Sequence, residues 1–209
     1  MTRLPEDIQA QLTVAAPAGI DYSSTASPHG DVTAWCGLAN SEELPAVGKA
    51  LLQLGARLAM VSALQLPAPE EEEEEEEEEP AEGGEAEAAK RKKEPPKTFG
   101  GTPIDGTSYE IDYHFLLGGD FLTVIAYVPA GGSIPSLTPL FRAADWPERE
   151  IMENYSIIMR DHPNPRRLFL DPSIDAAVLE RLIPFSTLVN AASTKALWDK
   201  VLAAKGGAS

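Results

Sequence analysis

The chain is poor in the residues from which most redox and metal sites are built. It has one cysteine, Cys36, and three histidines among 209 residues. A lone cysteine cannot close a disulfide within the chain, nor supply the several thiolates that an iron–sulfur or zinc site takes. Cys36 lies in an apolar stretch and reads as a core thiol, while His29 and His114 stand alone. Long hydrophobic runs are missing too. No stretch approaches the about 18 apolar residues of a membrane-spanning helix. The start, MTRLPEDIQAQL, has no apolar run of signal-peptide length. The expectation is a soluble, intracellular chain that meets a membrane only through a partner. No basic face is evident, which argues against nucleic acid as a ligand. No glycine-rich loop opens a helix to hold a nucleotide.

What is present in excess is acid, unevenly spread. The formal net charge is −16, but Glu70 to Lys97 alone holds 14 Glu against 5 Lys and Arg, a net of −9, which leaves −7 for the rest. Residues 67–107 open with PAP, run through ten consecutive glutamates (Glu70–Glu79) and continue as PAEGGEAEAAKRKKEPPKTFGGTPIDG. Like charges repel and there is almost nothing apolar to bury, so this piece reads as a disordered, solvated insertion. The other reading is an acidic arm that meets a basic partner. Hydrophobic residues make up 43% of the chain, enough for the core of one domain.

Residues 1–66 read as a β-α-β half-domain preceded by a short amphipathic helix over 4–14. The strand DVTAWCGLAN (Asp31–Asn40) comes first. A helix follows, with Leu44, Val47, Leu51 and Leu54 at helical spacing, Pro45 in its first turn and Gly55 placed to end it. Ala56–Leu66 is the second strand. After the insertion the period changes to two. Tyr109, Ile111, Tyr113, Phe115 and Leu117 alternate with Glu110, Asp112 and His114, which predicts a half-buried strand. Gly118-Gly119-Asp120 makes a tight turn, and Phe121–Val128 returns as a partner strand. The fold class is α+β: a small mixed or antiparallel sheet with helices on one side. An extended Pro- and Arg-rich strap follows, since Pro129 to Pro172 holds seven prolines. Residues 108–172 thus form the hairpin and strap, and 173–209 a helical tail.

One stretch packs chemistry densely: ADWPEREIMENYSIIMRDHPNPRRLFL, Ala144 to Leu170. Asp145 can cap a helix with Glu148 as its reciprocal partner three residues on. Pro147 falls in the first turn, and Arg149 can pair with Glu153 along one face. Glu148, Glu150, Asp161 and His162 are the material of an acid–base or metal site. Against that, Glu148 and Glu150 point about 200° apart on a helix. Glu150 and Glu153 share a face, but His162 reaches them only if the strap folds back.

These residues resemble the signature of the 30 kDa subunit family of respiratory complex I, including the related subunit of energy-converting membrane-bound [NiFe] hydrogenases. The family pattern is Glu-Arg-Glu, an acid three positions later, two mostly apolar residues, six of any kind, His, three of any kind, then Arg. Here it is met by Glu148-Arg149-Glu150, Glu153, Asn154-Tyr155, His162 and Arg166, with Asn154 the departure. IPSLTPL and ADW (Ala144–Trp146) match as well. Past this point the respiratory form usually carries Trp-x-Gly-His-Pro-x-Arg-Lys-Asp-Tyr-Pro. This chain has DPSIDAAVLERLIPFSTLV instead, as in the shorter hydrogenase-type version (carbon-monoxide-linked and Ech-type enzymes).

The resemblance implies a peripheral-arm subunit without a redox centre. It would pack against the large catalytic subunit and the iron–sulfur subunits of one membrane-associated complex, on the inner face of the cytoplasmic membrane. Iron–sulfur clusters and nickel–iron, or FMN, would belong to those partners, and no catalytic, cofactor or metal residue is expected in this chain. The alternatives are an NADH:quinone oxidoreductase and a free-standing adaptor working through its acidic arm. The residues implied at the subunit interface are Asp145, Trp146, Glu148, Arg149, Glu150, Glu153, His162, Pro163, Arg166 and Arg167.

Overall fold

The computed structural model describes residues 3–68 and 95–171. The chain divides into two units, Met1–Leu168 and Phe169–Ser209. The second is described only over 169–171, so the expected helical tail lies outside the described residues, as does 69–94 of the expected insertion.

The first unit runs α1 (Ile8–Ala15), β1 (Ile20–Ala26), β2 (Val32–Leu38), α2 (Leu44–Gln53), β3 (Arg57–Gln65), β4 (Tyr109–Leu117), β5 (Asp120–Val128), β6 (Ser133–Pro135), α3 (Asp145–Tyr155) and β7 (Ile158–Arg160). The best-specified helix is α2. Asn40 accepts the Glu42 N–H at 3.0 Å and caps the 3-10 turn that leads in. Pro45 sits in the first turn, and Leu44, Val47 and Leu51 are buried. Gly55 adopts φ 79°, the left-handed conformation glycine tolerates best. Its N–H returns to Leu52 and that of Ala56 to Leu51, the two bonds of a Schellman ending.

Strands β4 and β5 form the expected hairpin. Leu117 faces Asp120 across Gly118 and Gly119, both at positive φ. The five-stranded sheet has the order β1-β2-β5-β4-β3. Strands β2 and β5 are parallel and the other neighbours antiparallel. The sheet is therefore mixed, the architecture is α+β, and α2 and α3 share one core with the sheet's inward residues.

Two features of the N-terminal half go beyond the sequence pattern. Residues 20–26, IDYSSTA, form the strand β1, which the sequence pattern does not announce. A polar edge strand shows no apolar alternation, and four of its seven residues are exposed in a row. The strands β2 and β3 flank α2 as expected and run the same way, but they are not neighbours. The β4–β5 hairpin lies between them, giving a split β-α-β arrangement. Residues 95–107, part of the insertion by composition, carry a bridged turn. Lys97 pairs with Pro103, the Thr98 N–H donates to Thr102 at 2.9 Å, and the Phe99 ring lies over Gly37 at the sheet's end.

Candidate functional site

The signature helix α3 begins without the expected capping box. Ala144 occupies the N-cap position in helical conformation, so Asp145 is already inside the helix and its side chain makes no cap. Glu148 does not reach back either. It turns inward and is fully buried. Its carboxylate accepts the Leu137 N–H at 2.7 Å, the Thr138 hydroxyl at 2.7 Å, the Ser136 hydroxyl and the Tyr113 phenol at 3.3 Å. Burial, and then the Glu148 charge, hold the Tyr113 phenol well above the usual range. A carboxyl group in an apolar core is tolerated when its oxygens are saturated with donors, and here four are supplied. The SLT tripeptide comes within reach because α2 carries Gly48. A Cβ there would stand 2.8 Å from Leu137 Cδ2.

The strap does fold back. Ser156 ends α3 in the left-handed conformation, φ 54°, and the chain reverses into β7. That strand pairs in parallel with β6, and the Ser136 N–H donates to Arg160 at 2.8 Å. The reversal brings His162 under α3, with its side chain wholly buried. Its Nδ1 accepts the Asn164 N–H at 3.0 Å, which leaves a ring proton on Nε2. Nε2 lies 3.3 Å from the Asp145 carbonyl, 3.5 Å from Asp145 Oδ1 and 3.8 Å from Glu148 Oε2. Arg149 is turned to the strap by backbone recognition. Its Nε donates to the Arg166 carbonyl and its Nη2 to that of Arg167, each at 2.8 Å. The Leu168 N–H donates to Glu153 at 3.0 Å. Arg160 pairs with Glu42, fastening the strap to the turn before α2.

The ten residues implied by the sequence thus divide. Glu148 and His162 face the interior, where the SLT donors and the Asp145 carbonyl meet them. Asp145, Arg149 and Glu153 hold the strap. Trp146 (66% exposed), Glu150, Pro163, Arg166 and Arg167 face outward. His162 approaches Glu148 rather than Glu150. Among the described residues no group of three His, Cys, Asp or Glu side chains is placed to hold a metal ion. Sequence reasoning missed Tyr113, Ser136 and Thr138. The paired hydroxyls flanking Leu137 in IPSLTPL were the available signal.

The fold and site define an α+β domain whose signature residues close a strap onto the sheet's helical side. Residues 96–187 match the family described as respiratory-chain NADH dehydrogenase, 30 Kd subunit. The NAD(P)H-quinone oxidoreductase subunit J of Prochlorococcus marinus (strain AS9601) is 40% identical over 68 residues, 28% of this chain and 39% of that protein. The mitochondrial NADH-ubiquinone oxidoreductase 30.4 kDa subunit of Neurospora crassa is 28% identical over 86 residues, covering 40% of this chain and 30% of that protein. The chain therefore spans well under half the length of these relatives. A solved trypsin-resistant fragment of Nqo5 is similar at TM-score 0.43 and 17% identity, over 75% of this chain and 98% of that one.

Proposed function

We propose that the chain is a non-catalytic subunit of a membrane-associated oxidoreductase of the complex I type, seated in the peripheral arm against the large catalytic subunit. One observation carries the reading. Glu148 and His162, two of the four residues that could have formed an acid–base or metal site, are tied up in internal hydrogen bonds, while Trp146, Arg166 and Arg167 stand outward beside them. Aromatic and Arg side chains are the types enriched at protein interfaces. The chain would act by geometry, fixing its partners so that electron-transfer distances hold. Iron–sulfur clusters and nickel–iron, or FMN, would be carried by those partners. Its place would be the inner face of the cytoplasmic membrane, reached through partner subunits; no described helix is long and apolar enough to cross one.

Within the family, the hydrogenase type is supported by DPSIDAAVLERLIPFSTLV standing where the respiratory form usually carries its histidine–proline segment. The NADH:quinone oxidoreductase reading is favoured by the names of the matched relatives. The test is to tag the chain in its native cells, isolate the assembly from membranes and assay it with hydrogen and with NADH. A nickel–iron large subunit with hydrogen-linked activity selects the first reading. A flavin subunit with NADH-linked activity selects the second. Recovery of the chain without any redox subunit defeats both.

A further inference from the structure

The five-stranded sheet has a second face, turned away from the core. Gly37 and Tyr127 alternate with the inward residues Cys36, Leu38, Ala126 and Val128, and so belong to it. The turn at 95–107 lies on this face, its tip seated where glycines leave room. A Cβ at Gly37 would stand 3.9 Å from the Phe99 ring, and one at Gly19 also 3.9 Å from it. A Cβ at Gly100 would stand 3.3 Å from the Leu38 carbonyl oxygen and 3.3 Å from the Tyr127 ring. The fit is close, yet Phe99 remains 48% exposed.

The hydrogen bonding divides at Asp105. Before it, the turn closes on itself. The Ile104 N–H donates to the Pro96 carbonyl at 2.7 Å, the Thr98 N–H to the Thr102 carbonyl at 2.9 Å, the Gly101 N–H to the Thr98 carbonyl at 2.9 Å and the Thr102 N–H to the Thr98 hydroxyl at 3.1 Å. Among the described residues, none of these bonds reaches the sheet. After it, the chain is tied to the domain. Gln65 Nε2 donates to the Gly106 carbonyl at 2.6 Å, and the Leu66 N–H to the Ser108 carbonyl at 2.8 Å. At the junction Asp105 accepts the Thr107 N–H at 2.9 Å, an Asx turn that sets the resting angle. Gly106 stands at φ 82°, where glycine moves most freely. A piece bonded internally and held to its support by van der Waals contact alone opens as a unit at low cost.

We propose that residues 96–104 are a lid on the outward sheet face, hinged at Asp105 and Gly106 and latched by the Phe99 ring in the notch between Gly19 and Gly37. Closed, the lid covers Gly37, the Leu38 carbonyl and one side of Tyr127. Lifted, it bares that strip, with Glu110 bonded to the Tyr127 phenol beside it. Strands β2 and β5 stay paired throughout, because their core residues face the other way. The inference uses none of the signature residues and does not depend on the family reading.

The test is a distance measurement on the full chain. Spin labels are attached at Lys97→Cys and Ser23→Cys, both exposed positions. Cys36 stays unlabelled, since burial pushes its thiol up to about 12. Pulsed electron spin resonance should show one major and one minor distance. Phe99→Ala should raise the ratio of minor to major about tenfold, the change that losing a half-buried aromatic ring implies. Gly100→Ala should shift it the same way, because its Cβ presses on the Leu38 carbonyl and Tyr127. Amide exchange of Thr98, Thr102 and Ile104 should be unchanged in Phe99→Ala, the sign that the turn lifts in one piece. A single distance that neither substitution moves overturns the proposal. So does loss of amide protection over 98–104, which means that the turn melts instead of lifting.

Discussion

Glu148 shows how one side chain joins three parts of the chain. It sits on α3, grips the SLT segment and touches Tyr113 of the sheet. Glu148→Ala leaves three hydroxyls and a backbone N–H buried without an acceptor, which should cost about 3 kcal/mol of stability. Glu148→Gln keeps the shape and one acceptor and should cost about half as much. Urea unfolding of both variants checks the ratio. A second residue-scale prediction concerns pH. Asp112 and Glu110 have raised folded values, so their contribution is fully present below the ordinary carboxylate range and is lost as pH rises through those values. Burial depresses His114 from its ordinary 6.5, so its contribution is present above 6.5 and is lost as pH falls through the depressed value. Asp112→Asn should therefore raise the melting temperature relative to the parent more at pH 7 than at pH 4, which paired calorimetric scans would reveal.

At the scale of elements, α2 and α3 meet around the strap, and each carries a backbone device. Ser156 holds the left-handed ending of α3 with a side chain that conformation disfavours. Ser156→Gly should stabilise by about 0.5–1 kcal/mol. Gly48 is the opposite case. Alanine is the better helix former by about 1 kcal/mol, yet its Cβ would press on Leu137, which is fully buried and cannot swing away. Gly48→Ala should be destabilising on balance, by about 1 kcal/mol. The strap itself depends on Arg149. Its two donors fit two successive carbonyls, a geometry that a point-charge ammonium does not reproduce. Arg149→Ala and Arg149→Lys should both speed amide hydrogen exchange and proteolysis over 160–168, with little change in the exchange of β4 and β5.

At the scale of the whole molecule, the proposed function rests on the helical side of the sheet. On the helical side the strap presents Trp146, Arg166 and Arg167. Arg166 is exposed, so Arg166→Ala should leave the isolated chain's unfolding unchanged. In the native assembly it should lower the amount of chain retained, with turnover falling in proportion to subunit lost. Stoichiometry measured beside activity checks this. A fully assembled complex with abolished turnover would assign the strap a chemical role instead. Purified alone, the chain should bind no stoichiometric iron, nickel or flavin, which metal analysis and absorbance would test.

What the sequence by itself determined is whatever a single element records locally. The alternation in 109–117 and the glycine pair after it specify the β4–β5 hairpin. The spacing of Leu44, Val47 and Leu51 between Pro45 and Gly55 specifies α2. The 148–166 pattern carries the resemblance to the family, because its residues are few, charged and fixed in spacing. Tertiary structure decided the rest, for a common physical reason: the deciding partner lies far along the chain. The strand β1 is strand because β2 offers it an edge, not because of its own composition. The hairpin separates β2 from β3 because β5 pairs with β2 in parallel, a choice made between residues about 90 positions apart. Glu148 and His162 look like surface groups in the sequence. They are interior groups in the fold, because only the packed chain supplies the donors and acceptors that make burying them tolerable.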